Sequence, residues 1–366
     1  MSISPIRIGA PYPGLVYEQA PRNVYWEMTQ ACDLACQHCR ADAKTGRDPK
    51  ELTTEEGKAL LDAVGRLGSM IVLTGGDPMK RPDLWELVAY GRSHHVPMAI
   101  TPAITPLLTR EDVVRFREAG LTAMGVSLDG PNPEVHDGFR QVEGTFARSL
   151  EALAWARDEG VHVQVNTSVT LDTLPHLPAM FDLLKGYAPP IKRWSLFLLV
   201  PVGRGAELGV PSADDVEKLF EWVYETQQQA PFHVGTTEAP HYRRYWIQRK
   251  LAEGMPPEAI AQMAGRMAFG IRDGNGVVFV SHQGDVFPAG FLPEPVLGNV
   301  REQPLDTLYR DAPALKVLRD PTQYGGRCGR CDYKFACGGS RARAFGMQAD
   351  PLADDPLCAY EPPAEA

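Results

Sequence analysis

Between residue 24 and about residue 230 the chain alternates short apolar runs with amphipathic stretches, and this alternation limits its fold more than any other feature. The runs Val24–Thr29, Met70–Thr74, Pro97–Thr101, Ala123–Leu128, His162–Val169 and Trp194–Val200 predict strands. Helices are expected between and after them, near residues 53–66, 82–95, 110–119, 145–159, 174–186 and 213–229. In the fourth of these, Phe146, Leu150, Leu153 and Ala154 form one helical stripe that Gly160 is placed to end. Thr53 or Thr54, with Glu56 close behind, supplies an N-cap for the first. Strands separated by helices make a parallel sheet with the helices packed outside it. Eight units close a full barrel, so six predict an α/β fold of the partial (β/α)6 TIM-like kind. Ligand sites in such sheets lie at the C-terminal ends of the strands.

Four segments follow. Residues 1–23 lead in, 24–230 form the barrel, and 231–275 mix Pro, Gly, His, Tyr and Arg without a period, as a connection on the substrate side. Residues 276–366 read as a small cysteine-rich α+β domain, with a hairpin over 276–291, a short helix near 304–319 and loose final residues.

Cysteine usage narrows the chemistry. There are seven cysteines and no apolar leader in MSISPIRIGAPYPGLVYEQ, so a cytoplasmic protein with metal-binding thiols is expected before disulfides. A formal charge of −9 argues against nucleic-acid binding, and no run approaches a membrane span. Three cysteines lie within eight residues just after the first strand, as Cys32-x3-Cys36-x2-Cys39. Three thiolates on one loop can hold three irons of a [4Fe–4S] cube and leave the fourth open to chelate S-adenosylmethionine (SAM). The other four, Cys328-x2-Cys331-x5-Cys337-x20-Cys358, suit a fully ligated [4Fe–4S] cluster. On spacing alone they also suit tetrahedral zinc.

The order of these motifs resembles the radical SAM superfamily, in its branch with a C-terminal SPASM or twitch domain. The resemblance makes Cys32, Cys36 and Cys39 the catalytic cluster ligands, with His38 at the position between the last two that is often aromatic. Gly75, Gly76, Asp77 and Pro78 resemble the GGEP motif that meets the SAM amino group, with Asp in place of Glu. Ser127 and Asp129 resemble an SxDG segment near the SAM ribose and carboxylate, and Arg140 a carboxylate-binding arginine. Asn166 and Val202 match regions that hold ribose and adenine. The same resemblance implies a second [4Fe–4S] cluster at Cys328, Cys331, Cys337 and Cys358, preceded by a GxxFP…GN segment (Gly284, Phe287, Pro288, Gly298, Asn299). Ala289 and Arg341 occupy positions where fuller SPASM domains carry further cysteines, so no third cluster is expected. A flavodoxin or ferredoxin is the implied electron donor.

Three runs, Thr236–Arg244, Ser281–Arg301 and Cys337–Gly346, resemble the tetrapyrrole-modifying branch, which includes an Fe-coproporphyrin III decarboxylase and a heme d1 maturation enzyme. That implies hydrogen abstraction from a tetrapyrrole side chain followed by decarboxylation. An anionic substrate needs cations at the barrel mouth, and Arg243, Arg244, Arg341 and Arg343 are candidates, with Tyr242 as a planar surface and His241 or His233 as an iron ligand. The alternative is a maturase that crosslinks, epimerises or decarboxylates a ribosomal precursor peptide. With only 23 residues ahead of its first strand, such an enzyme would need a separate recognition protein.

Overall fold

The computed structural model describes residues 17–363, so residues 1–16 of the leading segment and 364–366 of the tail lie outside it. The six expected strands are present: β1 (Asn23–Glu27), β2 (Met70–Thr74), β3 (Met98–Ile100), β4 (Met124–Ser127), β5 (Val163–Val169) and β6 (Ile191–Leu198). They pair in parallel and in chain order, and a further parallel strand, β7 (His233–Thr237), continues the series beyond β6. β7 is hidden in the sequence because HVGTT offers one large apolar residue, contains Gly235 and lies between Pro231 and Pro240.

The expected hairpin is also present, as β8 (Val277–Val280) and β9 (Asp285–Phe287), with β10 (Gly298–Asn299) beside β9. It extends the barrel sheet, because β8 pairs in parallel with β1. That pairing covers backbone donors and acceptors of β1 that would otherwise form a sheet edge. The sheet is open, running β10-β9-β8-β1-β2-β3-β4-β5-β6-β7.

Alternation along each strand separates two faces. Val24, Trp26, Ile71, Leu73, Val163, Val165, Trp194 and Leu196 are buried on the outer face. Helix α1 (Thr54–Leu67) packs there, so closely that a Cβ on Gly57 would come within 2.8 Å of the Trp26 ring. Thr53 caps α1 in a capping box with Glu56, and Gly68 ends it at φ +63°. Helices α2 (Leu84–Ser93), α3 (Arg110–Glu118), α4 (Pro133–Arg140), α5 (Thr145–Glu159), α6 (Leu177–Lys185) and α7 (Ala213–Gln227) follow in turn. The buried face of α5 is Ser149, Ala152, Leu153 and Ala156, with Phe146 and Leu150 at its margin. This shift from the expected stripe gives α5 small residues along the face it buries.

The inner face is polar. Tyr25, Thr74, Ser127, Gln164, Asn166, Ser168 and Arg193 are only partly buried. Tyr25 and Arg193 lie within electrostatic reach although β1 and β6 are separated by four strands, so the sheet curls round a lumen. Past β7 come α8 (Tyr242–Ala252), α9 (Pro257–Gln262), α10 (Leu305–Asp311), α11 (Pro313–Arg319), α12 (Gly326–Arg330) and α13 (Arg341–Gln348).

Trp26, fully buried between sheet and α1, gives a direct check on this packing. Trp26→Ala should lower the unfolding free energy by about 3–5 kcal/mol in a denaturant titration of the apoprotein.

Candidate functional site

The Cys32–Cys39 loop leaves the C-terminal end of β1 and is clamped by turns from neighbouring strands. After β2, Gly75 (φ +140°) and Gly76 lie against the loop's own backbone. A Cβ would stand 2.4 Å from Thr29 O at Gly75 and 2.4 Å from Ala31 O at Gly76, so only glycine fits. The contact is sealed by Gly76 N–H to Thr29 O (2.8 Å) and Asp77 N–H to Ala31 O (2.7 Å). Asp77 is fully buried; its carboxylate accepts from Met79 N (3.1 Å), Ala103 N (3.3 Å) and Thr105 Oγ1 (3.0 Å). It thereby ties the turn after β2, including Pro78, to the turn after β3. Burial pushes this carboxyl up to about 6.

On the opposite side, Gly203 at φ +55° brings the turn after β6 onto Cys39 and Arg40, where a Cβ would lie 2.5 Å from Arg40 O. Arg204 N–H donates to Cys39 O (3.1 Å), while its Nε and one Nη are buried without a partner. Val202 packs beside Gly346 on α13. His38 stacks on Phe139 of α4, centroids 4.7 Å apart, and burial with Arg140 nearby keeps it neutral, down at about 4.

Arg140 connects the loop to the sheet. Its Nη1 reaches Cys36 Sγ (3.5 Å) and its Nη2 stands 2.5 Å from Asp129 Oδ2, off the axis of a good hydrogen bond. Asp129 Oδ1 accepts from Ser168 N on β5 (2.7 Å). Burial alone would raise the Asp129 carboxyl, but the guanidinium holds it below its usual range. Ser127 and Asn166 face each other across β4 and β5, and Asn166 accepts from Gln164 Nε2 (2.8 Å).

A network the sequence reading passed over holds the other flank. Glu27, at the end of β1, takes Arg40 Nη2 at 2.6 Å and His282 Nδ1 at 2.6 Å, and His282 Nε2 is 3.3 Å from Asp48. A glutamate ending an otherwise apolar strand was the available signal.

The donors around the sulfurs suit a cluster ligated by thiolates. Leu34 N–H points at Cys32 Sγ (3.4 Å), Ala43 N–H at Cys39 Sγ (3.4 Å) and Arg140 at Cys36 Sγ. Burial pushes the Cys32 thiol up to about 11, so metal loading there must displace a proton.

The second set of thiols, Cys328, Cys331, Cys337 and Cys358, lines one cavity together with His241, Arg244, Asp355 and Tyr360. Backbone N–H groups again point at sulfur, Tyr333 to Cys331 (3.4 Å) and Gly339 to Cys337 (3.3 Å), and Arg341 Nη2 approaches Cys328 Sγ at 3.6 Å. Among the described residues no three His, Cys, Asp or Glu side chains converge as a single-ion site. Burial pushes Cys331 up to about 12 and Cys358 up to about 11.

Three of the four arginines expected at the mouth are committed elsewhere. Arg341 and Arg343 are fully buried. Arg343 pairs with Asp355 (3.1 Å) and donates to Leu198 O and Leu199 O at 3.3 Å and to Glu238 O. Arg341 holds Ala353 O (2.7 Å) and Pro351 O (3.1 Å). Arg244 pairs with Glu217. They sit where the tail meets the barrel, and the buried Asp355 and half-buried Glu217 draw them in. Tyr242 is buried against Phe220, centroids 5.3 Å apart. His241 is fully buried with both ring nitrogens unpartnered, 3.4 Å from Asp355. Arg243 has two carbonyl acceptors, Ile271 O at 2.6 Å and Ala336 O at 3.4 Å.

The junction carries a pH signature. Burial, with Asp273 beside it, lifts the Glu238 carboxyl well above its ordinary range, and its one side-chain donor is Ser340 Oγ (2.8 Å). A raised folded value means stability is present below about 4.5 and is lost as pH climbs above it. Glu238→Gln should therefore flatten the fall in apoprotein stability between about pH 5 and about pH 8 by on the order of 2 kcal/mol, as measured by urea titration across pH.

The profile of the radical SAM superfamily matches residues 26–183. An AdoMet-dependent heme synthase of Oleidesulfovibrio alaskensis is 41% identical over 94% of this chain and 88% of its own. An Fe-coproporphyrin III synthase of Methanosarcina barkeri is 33% identical over 92% of this chain and 87% of its own. The mycofactocin maturase MftC of Mycobacterium tuberculosis is 29% identical over 95% and 87%. Streptococcus suis SuiB bound to S-adenosylmethionine shares the fold, with a TM-score of 0.71 at 16% identity over 93% of this chain and 78% of that one. The chain thus belongs to the radical SAM superfamily, whose chemistry rests on SAM and a [4Fe–4S] cluster.

Proposed function

We propose that this enzyme removes carbon dioxide from propionate side chains of an iron tetrapyrrole, leaving vinyl groups. The observation that carries this is the end-to-end likeness to the heme synthases, which spans the barrel and the cysteine-rich tail together. Cys32, Cys36 and Cys39 would hold a [4Fe–4S] cluster, which when bound would supply the electron for reductive cleavage of SAM to a 5′-deoxyadenosyl radical. The chain's own part is placement. Gly75, Gly76 and Gly203 let neighbouring turns close over the loop, Arg140 and the backbone N–H groups stabilise thiolates, and Asp129 orients Arg140. The polar lumen at the strand ends receives the substrate, so that a side-chain hydrogen can lie close to where the radical forms. Loss of that hydrogen atom, then of carbon dioxide and one electron to a one-electron acceptor, yields the vinyl group.

We further propose a second [4Fe–4S] cluster at Cys328, Cys331, Cys337 and Cys358. Four thiols lining one cavity, with N–H donors aimed at two of them, support this reading, as does the likeness to the heme synthases that extends over the cysteine-rich tail. A flavodoxin or ferredoxin is the proposed electron donor.

Anaerobic incubation with SAM, dithionite and iron-coproporphyrin III tests the reading. The product should lack one carbon dioxide and two hydrogens per side chain converted, with one 5′-deoxyadenosine formed for each. Iron should approach about eight atoms per chain, and replacing Cys32, Cys36 and Cys39 together with Ala should halve it and abolish SAM cleavage. If a precursor peptide stimulates SAM cleavage and the porphyrin is returned unchanged, the enzyme is a peptide maturase.

A further inference from the structure

Arg193 is a partly buried cation without a counter-charge. It alternates with Trp194 along β6, so its side chain enters the lumen while the tryptophan packs outward. Its one hydrogen bond is from Nε to Ser195 Oγ, 2.7 Å. Among the described residues no carboxylate lies within ion-pair distance of it, although the chain carries 46 acidic against 37 basic residues. Arg81, Arg140 and Arg343 each have a carboxylate partner, and the buried Arg272 and Arg341 each donate to three oxygen acceptors, whereas Arg193 has a single hydroxyl. Drawing an unpaired charge even partly out of water is unfavourable, and an anion bound at this position would offset that cost.

The surroundings describe that partner. The guanidinium lies over Gly235 of β7, where a Cβ would stand 2.8 Å from Arg193 Nη2 and 2.9 Å from His233 Nε2. Gly235 is level with Ser195, so the side chain points up its strand toward the SAM end. Tyr25 on β1 faces it across the lumen, with Arg22 nearby. Arg243, bonded to two carbonyls, is within electrostatic reach, which makes this part of the lumen positive. Burial lowers both guanidinium groups from their ordinary value, the direction an anion would reverse.

We propose that Arg193, backed by Arg243, His233 and Tyr25, binds a carboxylate side chain of the substrate that is not the one under attack. From the level of Ser195 to the end of β6 is about 10 Å. A rigid macrocycle with carboxylates on opposite edges can span such a distance, one edge anchored and the other presented to the radical. This rests on the tetrapyrrole reading above and names the group that orients its substrate.

The test titrates iron-coproporphyrin III and its tetramethyl ester into the anaerobic holoenzyme, following the Soret band. Arg193→Gln should weaken binding of the acid roughly tenfold to a hundredfold and leave ester binding unchanged. Arg193→Lys should recover part of the loss, and iron content should match the parent in both variants, which separates a lost anchor from a damaged fold. A conservative second variant, Ser195→Ala, should weaken acid binding in the same selective way but less. If the parent binds the acid and Arg193→Gln binds it equally well, or loses acid and ester alike, the anchor is wrong and the tetrapyrrole reading stands. If the parent binds neither porphyrin, both fall.

Discussion

Everything in the catalytic half depends on backbone packed against backbone at the end of β1. Two carbonyls, Thr29 O and Ala31 O, lie where side chains from Gly75 and Gly76 would have to be, and the turns from β2 and β6 grip the cysteine loop from both sides. A loop of eight residues with three buried or half-buried thiols has little structure of its own. Here it inherits rigidity from the sheet, because each clamp belongs to a turn that leaves a parallel strand, directly after β2 and a few residues beyond β6. The same geometry explains the substitution of Asp77 for glutamate: its shorter carboxylate is consumed in capping a turn and bridging to Thr105.

The tail is fastened by charge as well as by the sheet. Arg343 joins the carbonyls ending β6 to Asp355, which lies three residues before Cys358, and Arg341 spans from Cys328 to the carbonyls of Pro351 and Ala353. These buried guanidinium groups set the position of the second thiol set relative to the barrel. Breaking such a pair strands a charge, so the junction is specified more strictly than an apolar contact would be. β8 adds a second fastening by pairing with β1, the strand that leads into the first cysteine loop.

The barrel and both thiol sets were legible in the sequence because each has a local signature: strands at regular intervals, and cysteines confined to two short regions. β7 was not, since its alternation is hidden by Gly235 and two threonines. The arginines of the CGGSRARAFG run suit substrate carboxylates in sequence alone, because one dimension does not show that Asp355 and the carbonyls ending β6 converge on them. Arg193 was within reach. In Ile191–Leu198 the polar Arg193 and Ser195 lie on the strand face opposite Trp194, Leu196 and Leu198, a partial polar alternation within an apolar strand. Which face is a lumen becomes visible only when β1 and β6 are seen to curl toward each other.

The central claim is that a radical formed above the Cys32–Cys39 loop takes hydrogen from a propionate of a bound tetrapyrrole. The most direct measurement is isotope transfer: iron-coproporphyrin III deuterated on the propionate carbon next to the ring, turned over anaerobically with unlabelled SAM. The account predicts deuterium in the 5′-deoxyadenosine recovered. Decarboxylated product accompanied by unlabelled 5′-deoxyadenosine would contradict it.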